Sequence, residues 1–461
     1  MKIKFLKSLL SLSFLPIIWF VFFVQLVFFS LFWQKAKALD LEIDILNNNH
    51  TPLPMIISDF YVTQNTQKHY ERLKNTIIWD LKNTGAIAPT FVKDELVNGF
   101  TNFSEDQIDV SAYSYYQATL MGKFIYDDKN RIYILQVMLM DNYLGTAKFK
   151  NQYIIKEADI IPHLNFIAHN IANDVYKALT GLQGYFNFSL LYVENKNQLV
   201  IADYNGENRI ILFKGKGEIY APAFSNKGDY IVYVDFYQGT SELYIYDLYF
   251  KKTIKLISLG GLSLSPNFVK DDKSLIFSLA KDGSTNIYEL DIASKKVKAL
   301  TKSYSINLSG GYSFDKQYVI FNSNRIGRPQ IYVMSIMGEK VTKVSKNTGN
   351  YFTPSFAPNS NLILFTKIEQ GAFKIGIMNM AGIEKIISVA KKAENPKWLA
   401  DGRHLIYQYS YSKDNFDHLY MLQVVDIVSG YKLNIKNTFN AKYPSLSKSI
   451  LFNKKISIKS L

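Results

Sequence analysis

The second half of the chain carries a repeating pattern of apolar and polar positions. A Pro-x-aromatic unit begins at Pro222 and is followed by a polar turn and an alternating strand, Tyr230-Ile231-Val232-Tyr233. Related anchors recur at positions 266, 310 and 354, each 44 residues apart, and then at 396 and 444. A second column keeps the 44-residue spacing at Asp203, Asp247, Asp291, Ser335 and Asn379. Asp, Ser and Asn are residue types that cap turns. A period in the low forties with four short strands in each unit predicts propeller blades.

The two ends of the repeat complement each other. The first segment, Leu190–Phe213, has strand patterns but no Pro-aromatic strand before them, whereas Tyr443–Ser447 has only the opening strand. Joined, they make one blade. Five internal blades and this composite predict a six-bladed β-propeller over residues 183–461, closed by a C-terminal strand that leaves no free sheet edge.

Residues 39–182 lack the 44-residue period and predict a small N-terminal α/β domain. Strands are predicted from the alternating or apolar segments Leu41–Ile45, Pro54–Phe60, Arg131–Met140 and Thr146–Ile155. Apolar residues at helical spacing predict helices over Tyr70–Lys82 and Asn165–Leu179, each followed by a glycine within three residues. The predicted fold class is therefore a two-domain chain, a small α/β domain followed by the propeller.

Residues 1–38 have the pattern of an export signal. Lys2, Lys4 and Lys7 precede a long apolar run, Leu9–Trp33, and Ala36-Lys37-Ala38 provides small residues for cleavage before Leu39. The apolar run is long enough to span a bilayer, so a retained membrane anchor is the alternative.

The composition narrows the possible partners. The chain has no cysteine, which excludes disulfides and Cys-ligated zinc. Its net charge is +14, of which five lysines within residues 1–38 supply five charges. The other lysines are scattered, and no basic stripe or nucleic-acid-binding module is present, so nucleic-acid binding is not predicted.

Sequence motifs for catalysis are absent. The chain has no Gly-x-Ser-x-Gly elbow, no phosphate loop, and no His-Glu-x-x-His spacing among its six histidines. We therefore predict a protein that is not an enzyme and that has no cofactor or metal. One hairpin, Asn322–Tyr332, contains Arg325 and Arg328 beside Gly and Pro. It is either a basic binding tip or an ordered turn whose arginines pair within the ring.

Together these features resemble the TolB family, periplasmic propeller proteins of the Tol–Pal envelope system. The export signal, the Pro-x-Phe-Ser repeats and the segment Ser323–Tyr332 carry the resemblance. The segments Pro52–Phe60, Ile167–Gly181 and Gly184–Phe186 are also similar to family segments. The resemblance extends over about the whole chain after residue 38.

The resemblance implies a connector in the periplasm that supports outer-membrane integrity and constriction at cell division. In the family, the mature N-terminus binds the inner-membrane protein TolA, which here implies Leu39, Asp40, Leu41, Glu42, Ile43, Asp44 and Ile45. These residues alternate as a strand that adds to a partner's sheet. A propeller face binds the lipoprotein Pal, which implies the loop residues Leu262, Ser263, Leu264, Ser265, Asn307, Leu308, Ser309, Arg325 and Arg328. The chain departs from the family pattern there, because Gly310 replaces a proline and the leucines make the loops more apolar.

Two readings of function remain open from the sequence. The first is the connector described above, a monomer with two protein partners and no membrane span after signal cleavage. The second is an exported propeller enzyme or small-ligand-binding module, which would need polar residues converging in the channel.

Overall fold

The computed structural model describes residues 51–93, 108–269, 271–390, 392–410, 419–448 and 457–460. The predicted strand Leu41–Ile45 and the predicted signal over residues 1–38 lie outside these ranges. In the α/β domain the elements are β1 (Leu53–Ser58), β2 (Tyr61–Val62), α1 (Gln67–Lys82), β3 (Ile87–Val92), β4 (Ala118–Asp127), β5 (Ile132–Asp141), β6 (Thr146–Lys156) and α2 (Ile160–Thr180).

The N-terminal sheet is mixed, with the order β3-β1-β4-β5-β6 and with β2 beside β4. Strand β1 is parallel to both β3 and β4, and the other long neighbours are antiparallel. Helix α1 buries Leu73, Ile77 and Leu81, which are spaced to share one face. Helix α2 ends at Gly181, whose φ of 73° suits the left-handed cap. Both predicted helices and the predicted β5–β6 pairing are confirmed.

A strand that the sequence pattern did not predict completes this sheet. Strand β31 (Ser457–Ser460) pairs antiparallel with β6, with Ser457 opposite Ile154. The end of the chain therefore returns to the N-terminal domain after the last blade. No periodicity signals this pairing, because four residues are too few to show alternation and the partner strand is about 300 residues away.

Six sheets of four antiparallel strands form the propeller. The strands of blades one to three are β10 (Glu218–Phe224), β11 (Tyr230–Tyr237), β12 (Thr240–Asp247), β13 (Lys252–Ile257), β14 (Leu262–Phe268), β15 (Ser274–Lys281), β16 (Ser284–Asp291), β17 (Val297–Ala299), β18 (Asn307–Tyr312), β19 (Tyr318–Ser323), β20 (Gln330–Ser335) and β21 (Thr342–Lys343). Those of blades four and five are β22 (Asn350–Phe356), β23 (Ile363–Glu369), β24 (Ala372–Met378), β25 (Glu384–Ala390), β26 (Ala393–Trp398), β27 (His404–Ser410), β28 (Tyr420–Asp426) and β29 (Lys432–Asn434).

The sixth blade joins the two ends of the repeat, as predicted. It has the order β30-β7-β8-β9, from the strands β30 (Ala441–Lys448), β7 (Phe188–Glu194), β8 (Gln198–Asp203) and β9 (Ile210–Lys214). Ala441 lies opposite Glu194, and Ser447 lies opposite Ser189. Main-chain hydrogen bonds between the two ends of the repeat thus close the ring.

The repeated aromatic residues pack between neighbouring blades. Phe268 joins a cluster that contains Val232 of blade one and Phe277 of blade two. Tyr312 and Phe356 occupy the corresponding clusters between blades two and three and between blades three and four. The alternating strands therefore bury one face against the preceding blade and one against the next, which explains their strongly apolar pattern.

The second repeated column caps turns, as its residue types predict. Asp247 Oδ1 accepts hydrogen bonds from the backbone N–H groups of Tyr249 and Phe250, both at 2.9 Å. In their own blades, Asp291 Oδ1 accepts from the Ser294 N–H at 2.7 Å and Asn379 Oδ1 accepts from the Ile383 N–H at 3.0 Å. These side chains are structural turn residues.

The α/β domain is joined to the propeller through buried polar contacts of blade five. The His404 ring lies with Nδ1 2.5 Å from Asp401 Oδ2 and Nε2 2.7 Å from the Thr84 carbonyl oxygen. Both partners are acceptors, so both ring nitrogens donate and the imidazole is cationic. Burial alone lowers the pKa of His404, but the Asp401 charge and hydrogen bond outweigh it, and the net pKa is raised. Tyr176 of α2 also donates to Asp401, at 3.1 Å.

A second buried carboxylate links the domain to blade six. Asp80 of α1 accepts from His169 Nδ1 at 2.7 Å and from the Tyr204 hydroxyl at 2.6 Å. Around these groups, residues of both helices share one hydrophobic cluster with Tyr185, Phe186 and side chains of blades five and six. The two parts of the chain are therefore packed as one body at this junction.

Replacement of His404 is expected to reduce the pH dependence of stability. A raised pKa in the folded state means that the stabilisation is fully present below the unfolded pKa, about 6.5, and is lost as pH rises through the folded pKa. Over that window the free energy of unfolding falls by up to about 1.4 kcal/mol per pH unit. In His404→Gln this slope should become shallower, because the His404 contribution is lost while that of His169, whose pKa is also raised, stays. We expect a loss of about 3 kcal/mol near pH 6. Urea unfolding from pH 5.5 to 9 measures the slope and the loss in the free energy of unfolding. His163→Gln serves as the control. An unchanged slope in His404→Gln would contradict the cationic assignment.

Substitution of Gly310 is expected to destabilise the ring. A Cβ at Gly310 would fall 1.9 Å from the carbonyl oxygen of Pro354 in the next blade. We expect Gly310→Ala to cost about 2–4 kcal/mol in the free energy of unfolding, because two strand backbones must separate. In Gly371→Ala the Cβ meets no atom within 4 Å, so only the left-handed φ of 77° opposes it, at about 1 kcal/mol. Equal losses in the two variants, measured by urea denaturation, would disprove the close approach.

Candidate functional site

The two faces of the propeller differ in what covers them. The α/β domain contacts one face, through Asp401 and His404 at the turn after the innermost strand of blade five and through Tyr204 at the turn after the third strand of blade six. The opposite face is formed by the loops before the innermost strands and the turns between second and third strands. We call it the channel face; its described loops include residues 258–261, 300–306 and 324–329.

Each innermost strand carries a β-bulge at its anchor. The strand register shifts at this point in all six blades. The residue before the proline has a positive φ, between 46° and 57°, in five blades, at Ala221, Ser265, Thr353, Asn395 and Tyr443. In blade three, Gly311 instead has a φ of 103°. Bulges redirect side chains, and these five residues line the central cavity.

The central cavity has a volume of about 120 Å³ and lies among the innermost strands. Leu308, Phe352 and Tyr443 contribute apolar surface to its wall. The polar side chains on the wall include Asn267, Asn322 and Lys397, and none of the lining residues is acidic.

Arg325 holds the arginine loop in place. Its guanidinium lies 4.7 Å from the ring centre of Tyr332 and 5.2 Å from that of Phe321. It also donates to the Ser323 hydroxyl and to Asn307 Oδ1, both at 3.1 Å. Burial lowers the pKa of Arg325. This residue therefore follows the second of the two predictions for the hairpin, an arginine that pairs within the ring.

Asn307 ties three segments together. Its side-chain amide donates to the Thr285 carbonyl at 3.0 Å and to the Ser303 hydroxyl at 2.9 Å, while its oxygen accepts from Arg325. Asn324 and Ile306 add a reciprocal pair of hydrogen bonds between the two loops. The loop before blade three and the arginine loop thus form one connected surface.

The predicted Pal-contact residues divide into accessible and buried groups. Leu262 is 40% exposed, Arg328 is exposed, and Leu264, Ser265 and Leu308 are half-buried. Ser263, Asn307 and Ser309 are buried, and Ser263 exchanges hydrogen bonds with Ser241. The prediction that 262–265 and 307–309 are loops is wrong, since both segments lie in innermost strands. The bulge interrupts the alternation there, which removes the strand signal.

Sequence reasoning missed three strongly exposed apolar residues of the channel face. Tyr304 is fully exposed, and Ile306 and Ile326 are each about half exposed. All three lie in the connected loops 300–306 and 324–329. The sequence does show these apolar residues in otherwise polar loops. A loop sequence has no periodicity, however, so it does not reveal which of its side chains are exposed.

The predicted TolA-contacting residues Leu39, Asp40, Leu41, Glu42, Ile43, Asp44 and Ile45 lie outside the described ranges. Within the described ranges, neither α1 nor α2 is long and apolar enough to cross a membrane.

Comparisons with known proteins agree with the fold. A sequence profile described as the TolB beta propeller domain matches residues 176–450, more than half of the chain. The "Tol-Pal system protein TolB" of Wigglesworthia glossinidia brevipalpis is 29% identical over 245 residues, which are 50% of this chain and 53% of that protein. The protein of the same name from Vesicomyosocius okutanii is 27% identical over 257 residues, 53% of this chain and 56% of its own. The alignable part thus spans about half the length of these relatives.

A solved structure extends the likeness in fold beyond the propeller. The crystal structure of TolB from Acinetobacter baumannii superposes with a TM-score of 0.72 at 20% sequence identity. The superposition covers 86% of this chain and 96% of that one. The combination of a small α/β domain and a six-bladed propeller is therefore an arrangement already seen in a solved protein.

Proposed function

Because the chain belongs to the TolB β-propeller family, we propose that it is a protein-binding component of the Tol–Pal cell-envelope system. In this proposal it works in the periplasm, links TolA of the inner membrane to the outer-membrane lipoprotein Pal, and supports envelope constriction at division. It acts by binding and not by catalysis. The relatives described above bear the name of this system, which supports the assignment.

The channel face is the surface that we assign to Pal. The observation that carries this assignment is the exposed apolar set Leu262, Tyr304, Ile306 and Ile326. Leu262 begins an innermost strand, and the other three lie on two loops that hydrogen bonds hold together. Apolar surface of this kind, rimmed by polar groups such as Arg328, is typical of a protein-binding site. The α/β domain covers the other face at blades five and six and leaves this one accessible.

Arg325 and Asn307 have a supporting role in this proposal. They are held inside the loop by their own hydrogen bonds, so they position Ile326 and Arg328 and do not themselves face a partner. The buried Ser263 and Ser309 likewise belong to the supporting sheet. We therefore assign the contacts with Pal to Leu262, Leu308 and Arg328 among the residues predicted from sequence.

We assign the segment 39–45 to TolA. Its residues alternate between apolar and acidic side chains, the pattern of a strand that is added to a sheet edge of another protein. The two partners would then bind separate parts of the chain, which is what a connector between two membranes requires.

A charge placed on the channel face should weaken Pal binding. We expect Leu262→Asp to reduce the affinity for the cell's Pal-like lipoprotein at least tenfold, about 1.4 kcal/mol, because a carboxylate would be desolvated in an apolar contact. Calorimetric titration of the purified protein with that lipoprotein measures this. Leu144→Asp is the matched control, since Leu144 is 66% exposed on a turn of the α/β domain. If the intact wild-type protein does not bind the lipoprotein, the assignment to Pal is wrong.

Removal of residues 39–45 should separate the two binding activities. We expect the truncated protein to lose capture by the periplasmic domain of TolA while its affinity for the lipoprotein changes less than twofold, because the two sites are distinct. Pull-downs with each partner measure this. Equal capture of the truncated and full proteins by TolA would refute the strand-addition assignment.

A further inference from the structure

The central cavity carries a positive charge without a counter-charge. Lys397 lies on its wall, and none of the lining residues is an aspartate or glutamate. In the part of the chain that the structure describes, the Lys397 ammonium makes no hydrogen bond or ion pair. Burial lowers the pKa of Lys397, and no neighbouring carboxylate opposes this effect. Removal of a cation from water costs free energy when no counter-charge compensates it.

The repeat shows that this lysine is particular to blade five. Lys397 directly follows the anchor Pro396, and the five equivalent positions hold Ala223, Asn267, Gly311, Ser355 and Ser445. Those five side chains are short or absent, so the long lysine side chain enters a space that the other blades leave open. Its strand is well fixed, because Lys397 pairs with Ile406 in the sheet just beyond the bulge.

A second polar group on the same wall also lacks a partner. Asn322 is only 4% exposed, and its backbone is held between Leu308 and Ile331 in the sheet of blade three. Its side-chain amide makes no hydrogen bond within the described ranges. A carboxamide offers two N–H donors and one acceptor. The cavity therefore combines one positive charge with free donors.

The size of the cavity permits a ligand. Its volume of about 120 Å³ is well above the ~10–15 Å³ that one water molecule requires. A carboxylate or phosphate accepts charge-assisted hydrogen bonds, so it would offset the cost of burying the lysine.

We propose that the central cavity binds one anionic group, a carboxylate or a phosphate, with Lys397 as its counter-charge and Asn322 as a hydrogen-bond donor. The group belongs either to a free small anion or to an acidic side chain of a protein that docks on the channel face. The second source depends on the proposed function, whereas the first does not.

Titration with inorganic phosphate and with acetate, at constant ionic strength, tests the free anion. Tryptophan fluorescence is a suitable signal because Trp398 adjoins Lys397. A free-anion site gives a saturable change in the wild-type protein. We expect Lys397→Met to raise the dissociation constant at least tenfold and Asn322→Leu to raise it severalfold. Lys129→Met is the control, because Lys129 is an exposed lysine on the turn between β4 and β5 of the α/β domain.

Binding of the Pal-like lipoprotein tests the partner's side chain. If neither free anion saturates the wild-type protein, Lys397→Met should weaken lipoprotein binding at least tenfold while Lys129→Met leaves it unchanged. Thermal unfolding shows whether each variant is folded, and Lys397→Gln replaces Lys397→Met if the latter is not. The proposal is overturned if a folded Lys397 variant matches the wild-type protein in both titrations. Failure of the wild-type protein to bind the lipoprotein would refute the proposed function alone, and the anion titration would then decide this proposal.

Discussion

The pairing of β30 with β7 closes the propeller, and the other features of the molecule depend on it. It joins residues about 250 positions apart through a ladder that runs from Ala441–Glu194 to Lys448–Phe188. Without it, β30 and β7 would each present an unpaired strand edge, and the ring would stay open. Closure also brings blades five and six side by side, and these are the blades on which the α/β domain packs.

The junction between the two domains combines apolar packing with two buried carboxylates. Asp80 holds His169 of α2 and Tyr204 of blade six, and Asp401 holds Tyr176 of α2 together with His404 of its own hairpin. Buried charges of this kind tolerate few geometries, since loss of one partner leaves the other uncompensated. They therefore fix the orientation of the α/β domain more strictly than the apolar cluster alone would. One propeller face is covered at this place as a result, and the channel face stays accessible.

On the channel face, one group of residues holds the loops in place and another group is exposed for contact with a partner. Asn307, Arg325 and the glycine at 310 hold the loops and the neighbouring strand, whereas Leu262, Tyr304, Ile306 and Ile326 present apolar surface. Below them, the bulged strands surround a cavity with an unpaired lysine. Equivalent positions of the repeat therefore hold different residues in single blades. We expect these differences, such as the lysine at 397, to determine what the propeller binds.

The sequence alone determined the period, the six blades, the composite blade and the turn-capping role of the Asp column, because each follows from local spacing or local hydrogen bonding. It also placed the two helices and the β5–β6 hairpin. The tertiary structure decided what local patterns do not encode. Asp80 and His404 are buried only because distant segments meet, and Lys397 lacks a counter-charge only because no other blade places an acid in the cavity. Among the predicted contact residues, the fold alone separated the accessible Leu262 from the buried Asn307.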